Sequence, residues 1–230
     1  MRLGFVMTCY DDADVVVEAI ADVLRQTRRC ELVVVDNGST DGSYENIRAF
    51  DVASIHLPRN EHHGKALNLG AAHLLTNGCD WIVVQNSDDR CDPEYAQAIV
   101  DTATEHPDVN CIFSPWADMK GCETVRFPAY HPVLTCYQHQ IPGIRAVRRD
   151  LWECTRGEDA NIPIGSDWDW AARASVEGWL RPWQLERPYV RLRERSAGRP
   201  SLSSHVNWPK LNTHMKRHRR GEWATWDKAA

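Results

Sequence analysis

The stretch ELVVVDNGSTDGSYENIRAF, residues 31–50, decides the fold. Residues 31–36 are apolar and rich in β-branched side chains, which is typical of a buried strand. Residues 37–43 are a turn cluster of Asn, Gly, Ser, Thr and Asp, and residues 44–50 are predicted to form a short helix. A buried strand that leads through a short polar turn into a helix indicates a parallel α/β sheet.

The same alternation extends in both directions along the chain. Further buried strands are predicted at 3–8, 53–58, 80–85 and 110–115. Helices are predicted to open at Asp11, Asp12 and Asp14, to cover 64–75, and to start at Asp92–Pro93. Strands and helices that alternate with short connections predict a mostly parallel sheet with helices on both faces.

Three polar clusters directly follow predicted strands, at Thr8–Asp12, Asp36–Asp41 and Asn86–Asp89. Because ligands of such sheets bind beyond the carboxyl ends of the strands, we expect the clusters to meet at one edge. The chain has no G-x-G-x-x-G after its first strand and no G-x-x-x-x-G-K-[ST] anywhere. A dinucleotide-binding fold and a P-loop are therefore disfavoured.

Composition indicates an ordinary globular protein of 230 residues, with 43% hydrophobic and 26% charged residues. No apolar run approaches the roughly 20 residues that span a bilayer, and the apolar start is too short for a signal peptide. None of the eight cysteines forms a C-x-x-C pair. We therefore expect reduced thiols in a cytoplasmic protein rather than a zinc site or a disulfide framework.

The net charge of −5 hides an asymmetry, because residues 181–220 hold eleven Lys and Arg against two Glu. The most basic part of this tail, residues 210–220, contains Lys216, Arg217, Arg219 and Arg220. Such a run can meet a diphosphate or an anionic acceptor, or make a peripheral contact with an anionic surface. A solvated basic helix face is the alternative.

Five segments, taken in order, resemble family 2 glycosyltransferases of the GT-A fold. They are VVVDNGSTDGS (33–43), RNEHHGKALNLG (59–70), VVQNSDD (83–89), IRAVRRDLW (144–152) and GSDWDWAARASVEGW (165–179). The resemblance implies a single Rossmann-like αβα sandwich with a mostly parallel central sheet. It also implies that residues 1–115 form the donor-binding half, and that 116–230 form the acceptor-binding and catalytic half with the basic tail.

For the donor half, the resemblance implies that Asp36 contacts the nucleotide base, with Thr8 and Tyr10 lining the same pocket. Lys65 and Asn68, on the helix that starts near Gly64, are expected to face the diphosphate. Each of these residues also has an ordinary structural interpretation, as a turn cap, a strand end or an exposed helix residue.

The cluster at 86–89 occupies the place of the family's metal motif, which implies Mn²⁺ or Mg²⁺ as cofactor. Asp88 is expected to bind the metal, while Asn86 and Ser87 contact the donor. The family usually has Asp where this chain has Asn86, and a neutral amide oxygen leaves more of the coordination to Asp88. A late histidine, His205 or else His214, is a candidate further ligand. For the cluster at 86–89, the alternative interpretation is an acidic turn that caps the following helix.

In the acceptor half, Asp167 occupies the position of the family's general base, and Ser166 replaces the glutamate that usually precedes it. Trp168 and Asp169 are expected to contact the acceptor, although Asp can also serve as a helix cap and Trp as core. Arg173 is expected to pair with Asp169 one helical turn back.

The resemblance therefore implies a metal-assisted, hexosyltransferase-type enzyme. It would move a sugar from a nucleotide-diphosphate donor, with UDP favoured, to an acceptor hydroxyl. Inversion at the anomeric carbon is expected with Asp167 as base, and retention stays open as the alternative. The acceptor also stays open: a glycan, a protein, a lipid or a nucleic acid. A non-catalytic nucleotide- or carbohydrate-binding relative and a nucleotidyltransferase are the alternatives; the second lacks the Gly-rich phosphate loop it would need.

Overall fold

The computed structural model describes residues 1–193 of the chain. Within this range, eleven strands form two sheets. The strands span Leu3–Cys9 (β1), Glu31–Asp36 (β2), Ala53–His56 (β3), Trp81–Asn86 (β4), Arg90–Cys91 (β5), Cys111–Phe113 (β6), Trp116–Asp118 (β7), Thr124–Val125 (β8), Ala146–Arg148 (β9), Pro182–Gln184 (β10) and Val190–Leu192 (β11).

The central sheet has seven strands in the order β10-β6-β9-β4-β1-β2-β3. Strands β1 to β4 pair in parallel, as do β6 and β10, and β9 runs antiparallel between β4 and β6. The predicted α/β fold with a mostly parallel sheet is thus confirmed. The reversed strand β9 comes from the segment IRAVRRDLW, so this segment joins the two halves of the sheet.

Six α-helices lie among the described residues and cover both faces of the sheet. They span Val16–Leu24 (α1), Ser43–Arg48 (α2), His63–Thr76 (α3), Tyr95–Glu105 (α4), Arg149–Thr155 (α5) and Ser166–Val176 (α6). Side chains of β1 alternate between the faces, as a strand requires. Phe5 and Met7 pack with α1 and α4, whereas Val6 packs in a second core with α3 and α6.

A smaller sheet, in the order β5-β11-β7-β8, lies beside the carboxyl end of β4. Its strand β11 pairs antiparallel with β5, which follows the polar cluster at residues 86–89. Arg193, the last described residue, donates its backbone N–H to Asp89 Oδ1 at 3.0 Å. The described part of the chain therefore ends at this cluster.

Several boundaries differ from the sequence predictions, and the cause is local. Helix α1 begins at Val16 rather than at Asp11, because Asp11 has a left-handed backbone (φ 51°) and cannot continue a helix. Helix α4 begins at Tyr95, two residues after Pro93, and β3 ends at His56, ahead of Pro58. Among the described residues, no helix combines the length and apolarity that a bilayer-spanning segment needs.

Candidate active site

The carboxyl ends of β1, β2 and β4 lie side by side, so the three polar clusters share one edge of the sheet. Thr8 of β1 is in register with Asn86 of β4, and Cys9 is in register with Asp36 of β2. The predicted convergence is therefore present. This edge of the sheet is called the polar edge below, and it comprises Thr8–Asp12, Asp36–Asp41 and Asn86–Asp89.

Asp36 ends β2 with a fully buried side chain of which one oxygen is already bound. Its Oδ2 lies 2.7 Å from His56 Nδ1 and accepts the backbone N–H of Ser39 at 3.3 Å. Its Oδ1 is buried and has no hydrogen-bond partner among the described residues. Since a buried carboxylate oxygen without a donor is costly, Asp36 Oδ1 is suited to receive an N–H from a ligand. Tyr44 stacks on the His56 ring, with centroids 4.2 Å apart.

The loop that follows β1 is tied to the loop that follows β2. The backbone N–H of Asp11 donates to Ser39 Oγ at 3.0 Å, and the N–H of Thr40 donates to Asp11 Oδ1 at 2.8 Å. Thr8 Oγ1 lies 3.2 Å from His63 Nδ1 at the start of α3. Tyr10 is 43% exposed on this loop. Donor contacts of Thr8 and Tyr10 stay predictions, and both residues lie at the polar edge.

The predicted diphosphate-binding residues of α3 already have protein partners. Lys65 Nζ forms an exposed ion pair with Glu61 at 2.9 Å. The Asn68 amide donates to the Glu158 carbonyl at 2.7 Å and accepts the Glu158 N–H at 3.1 Å. Asn68 therefore holds the loop that leads to α6, and its contact with a donor stays a prediction that would require this pairing to open.

The cluster at residues 86–89 is divided between buried and accessible side chains. Ser87 is buried, and its hydroxyl donates to Asp12 Oδ2 at 2.6 Å, so its donor contact stays a prediction. Asn86 Nδ2 donates to Asp89 Oδ2 at 2.9 Å. Asp88 is half-buried, and its backbone carbonyl accepts Arg193 Nε at 3.1 Å. Asp88 is thus the carboxylate of this cluster with the greater access to solvent.

A divalent cation fits this cluster only if the donor supplies ligands as well. In residues 1–193, no group of three or more His, Cys, Asp or Glu side chains could enclose a metal. A cation that bridges a diphosphate needs only one or two protein carboxylates, since phosphate oxygens and waters complete its shell. Asp88 with the neighbouring Asn86 satisfies that requirement. The predicted ligand His205, its alternative His214 and the basic run at 210–220 lie outside the described residues.

Asp167 is the second residue of α6, and Gly165, whose backbone is left-handed, precedes this helix. Its Oδ1 accepts the backbone N–H of Trp168 at 2.8 Å, and its Oδ2 lies 3.1 Å from His139 Nε2. Burial opposes the charge on Asp167, but His139, Arg145 and the Trp168 N–H outweigh it and hold the pKa of this carboxyl well below its usual range. Asp167 is therefore an ionised carboxylate with a basic partner.

A buried ion pair supports the first turn of α6 from below. Arg145 Nη2 donates to Glu158 Oε1 at 2.8 Å, and the Ser166 hydroxyl donates to Glu158 Oε2 at 2.6 Å. The Arg145 guanidinium also lies 4.1 Å above the ring of Trp170. Glu158 therefore places a carboxylate next to Ser166, the position at which the resembled family carries a glutamate.

This ion pair connects Asp167 to the polar edge. The carbonyl of Arg145 accepts the N–H of Val84 in β4 at 2.8 Å, two residues before Asn86. Asn68 binds the backbone of Glu158 from the other side. Asp167 is consequently positioned by the same strand and helix that border the polar edge.

The two residues after Asp167 face the protein interior in part. Asp169 is only 1% exposed, and its Oδ2 accepts Arg173 Nε at 2.8 Å, which confirms the predicted pair. Trp168 is half-buried, and its Nε1 donates to the carbonyl of Thr135 at 2.6 Å. Acceptor contacts of Trp168 and Asp169 stay predictions; for Asp169, such a contact would require the side chain to leave its buried pair.

The sequence patterns do not point to His56, His139, Arg145 or Glu158 as site residues. Each has its partner 13 to 28 residues away, namely Asp36, Asp167 or the other member of the buried pair. Such contacts arise from the packing of loops and leave no periodic signal in the sequence. One hint was present for Glu158, since Ser166 breaks the family pattern and leaves a carboxylate to be supplied from elsewhere.

Comparison with solved structures identifies the fold. S. aureus TarS 1–349 in complex with UDP-GlcNAc aligns over 96% of this chain and 66% of its own, with TM-score 0.79 and 16% identity. Mannosyltransferase PcManGT from Pyrobaculum calidifontis, in complex with GDP-Man and Mn²⁺, aligns over 96% and 63%, with TM-score 0.63 and 18% identity. Glucosyl-3-phosphoglycerate synthase from Mycobacterium tuberculosis, in complex with Mn²⁺, UDP and glucosyl-3-phosphoglycerate, aligns over 97% and 81%, with TM-score 0.64 and 19% identity.

The architecture is thus that of the GT-A glycosyltransferases. The model of glycosyl transferase family 2 matches residues 5–155, and the chain belongs to this family. The chain spans 60% to 66% of the length of the TarS 1–349 structures that it matches. A comparison with curated protein sequences gave no match.

Proposed function

We propose that this protein transfers a sugar from a nucleotide-diphosphate donor, with a uridine nucleotide favoured, to an acceptor hydroxyl. The observation that carries the proposal is the buried Oδ1 of Asp36 at the polar edge, which has no hydrogen-bond partner within residues 1–193, with Asp88 on the same edge. In the proposed division of labour, residues 1–115 bind the donor, and residues 116–230 bind the acceptor and provide the base.

The geometry of Asp36 favours uracil over guanine. The N3–H of uracil is a single donor, which matches the single open oxygen Oδ1. Guanine presents two adjacent N–H donors to a carboxylate, but the second oxygen, Oδ2, is already bound by His56 and the Ser39 N–H. The likeness to a TarS structure that holds UDP-GlcNAc is in keeping with this preference.

Asp88, with the amide oxygen of Asn86, would hold Mn²⁺ or Mg²⁺ against the two phosphates of the donor. When bound, the cation neutralises the charge that develops on the departing diphosphate. Lys65, if it exchanges Glu61 for a phosphate, adds a further positive charge at the start of α3. Thr8, Tyr10 and Asn68 would add further contacts to the donor.

Asp167 would act as the general base. The acceptor oxygen forms a bond to the anomeric carbon and loses its proton to the carboxylate, while the bond from that carbon to the phosphate oxygen breaks. The electron pair of the broken bond stays on the diphosphate, and the anomeric configuration is inverted. Trp168 is the proposed apolar face for an acceptor, and an anionic acceptor would be drawn by the basic run at 210–220.

The test is donor hydrolysis, with water as the acceptor, over a panel of UDP-, GDP- and dTDP-sugars in Mg²⁺, Mn²⁺ or EDTA. We expect turnover of a UDP-sugar with metal. Asp167→Asn should lower the rate by roughly 10²- to 10⁴-fold while the affinity for UDP is kept. Asp101→Asn, on the exposed part of α4, is the matched control. Binding of UDP without turnover by the wild type would favour the non-catalytic relative instead.

A further inference from the structure

His139 is the nearest titratable neighbour of the proposed base, and nothing in the family pattern assigns it a role. It lies in the loop between the 3₁₀ turn at Leu134–Cys136 and β9. Its Nε2 is 3.1 Å from Asp167 Oδ2, and the two side chains are 35% and 26% exposed. Since Asp167 Oδ1 takes the Trp168 N–H, His139 faces the remaining oxygen.

Among the described residues, Asp167 is the charged group that acts most strongly on His139. Within residues 1–193, two further charged groups act on the ring: Arg145 from the segment before β9, and Glu158 from the loop after α5. They are bound to each other at 2.8 Å and act on the imidazole in opposite directions, since Arg145 lowers the pKa of His139 and Glu158 raises it. Trp168 is the aromatic neighbour, with ring centroids 6.2 Å apart.

A lone carboxylate is a poor base for an alcohol, because its ordinary pKa is near 4. A carboxylate backed by an imidazole is a stronger proton acceptor, since the proton can rest on a group with a pKa near neutrality. The His139–Asp167 geometry supplies such a backing group, and the part-exposed ring can return the proton to water.

We propose that His139 and Asp167 form a catalytic dyad in which the proton of the acceptor hydroxyl passes through Asp167 to His139; this inference rests on the proposed function. The acceptor oxygen bonds to the anomeric carbon, and the phosphate oxygen departs with the electron pair of its bond to that carbon. The proton moves to Asp167 Oδ2 and from there to the unprotonated Nε2 of neutral His139, whose own ring proton is on Nδ1. The imidazolium then releases it to solvent.

The charge balance supports this path. Burial disfavours the charged form of His139, but the Asp167 carboxylate outweighs burial and raises the pKa of His139 above its ordinary 6.5. The same pair lowers the pKa of Asp167, so one proton taken up by the dyad rests on the imidazole. Below the pKa of His139 the dyad already holds its proton and cannot take another. The rate is therefore expected to fall as pH falls through a value above 6.5.

The test is the pH profile of UDP-GlcNAc and UDP-glucose hydrolysis from pH 5.5 to 9, at constant Mn²⁺, for wild type and His139→Gln. Gln keeps a hydrogen-bond donor to Asp167 but cannot take up a proton. We expect the acid limb above pH 6.5 to disappear in His139→Gln, and the plateau rate to fall by roughly 10- to 100-fold. His73→Gln, at the far end of α3, should keep the wild-type profile.

A residue that only holds the loop would lower the rate evenly and leave the acid limb in place, and that result would overturn the dyad. Independently of turnover, histidine NMR should show the ring of His139 titrating above pH 6.5, and lower in Asp167→Asn. Titration at or below 6.5 in the wild type would also overturn it. If the wild type hydrolyses no sugar of the full donor panel, the proposed function fails, and the inference fails with it. If the wild type is active but His139→Gln has the same pH profile as the wild type, the dyad is refuted and the proposed function is kept.

Discussion

Arg145 and Glu158 form an ion pair in which both side chains are fully buried, with Nη2 and Oε1 2.8 Å apart. Glu158 also receives the hydroxyl of Ser166, and Arg145 also donates to the carbonyl of Gly143 at 2.9 Å. The pair thus joins the segment before β9 to the first turn of α6. Because Asp167 belongs to that turn, its position depends on this buried charge pair.

Glu158→Gln is expected to lower the free energy of unfolding by about 3–5 kcal/mol, because it leaves the guanidinium of Arg145 buried without a counter-charge. Urea unfolding monitored by tryptophan emission measures this loss. Glu153→Gln, which breaks an exposed pair with Arg149, is the matched control and should cost less than about 1 kcal/mol. An equal loss of stability in Glu158→Gln and Glu153→Gln would contradict the importance of burial. The double variant Arg145→Met/Glu158→Leu removes both buried charges, so it should be more stable than Glu158→Gln; a lower stability would contradict the same explanation.

Asp36→Asn is expected to weaken UDP binding. The variant removes the charge from the oxygen proposed to accept the uracil N–H, and a hydrogen bond to a charged group contributes about 1.5–3 kcal/mol, or roughly 10- to 150-fold in affinity. Titration calorimetry with UDP measures the change. Asp51→Asn, an exposed position outside the polar edge, is the control. If Asp36→Asn bound UDP with unchanged affinity, the uracil ring would have to bind at another position.

The features that the sequence predicts well are those set by local pattern. Strand β2 was expected at residues 31–36 and is found at Glu31–Asp36, since a run of β-branched residues has few other stable states. The convergence of three polar clusters followed from the rule that parallel strands end at the same edge. The Asp169–Arg173 pair followed from helical spacing alone.

Contacts between distant loops could not be predicted in this way. Asn68 matches a family motif, yet its amide binds the backbone of Glu158, 90 residues further along the chain. Likewise, the pairing of His139 with Asp167 depends on how a loop of irregular structure packs against α6. Polar side chains in such loops have no periodicity, so only the folded chain shows which of them meet.

Asp88→Asn is expected to remove most of the gain in UDP affinity that Mn²⁺ provides. Asp88 is the proposed carboxylate ligand, and the backbone around it is held by Arg193 Nε, so the substitution should leave the loop in place. Calorimetric titration of UDP with Mn²⁺ or with EDTA gives the gain for each protein. We expect a loss of roughly tenfold or more with Mn²⁺, about 1.4 kcal/mol, and no change in EDTA. Asp101→Asn should behave as wild type, and an equal loss in EDTA would refute the metal role.

The ion pair of His139 and Asp167 should make stability depend on pH in a defined window. The pKa of His139 is raised on folding, so its contribution is complete below its ordinary 6.5 and is lost as pH rises through the higher folded value. The pKa of Asp167 is lowered on folding, so its contribution is complete above its ordinary 3.8 and is lost only at lower pH.

We therefore expect wild type to exceed His139→Gln most in unfolding free energy between about pH 4 and 6.5, with the difference shrinking towards pH 9. Urea unfolding at pH 5 and pH 9 provides the comparison, and His73→Gln corrects for the loss of a histidine whose ring contacts the Asn77 amide instead of a carboxylate within residues 1–193. Because His139 is about one-third exposed, solvent screening limits the size of the stability difference. The sign of its change with pH is therefore the result that tests the prediction. A difference that grows towards pH 9 would mean that His139 is neutral in the folded protein, and that the pair is not ionic.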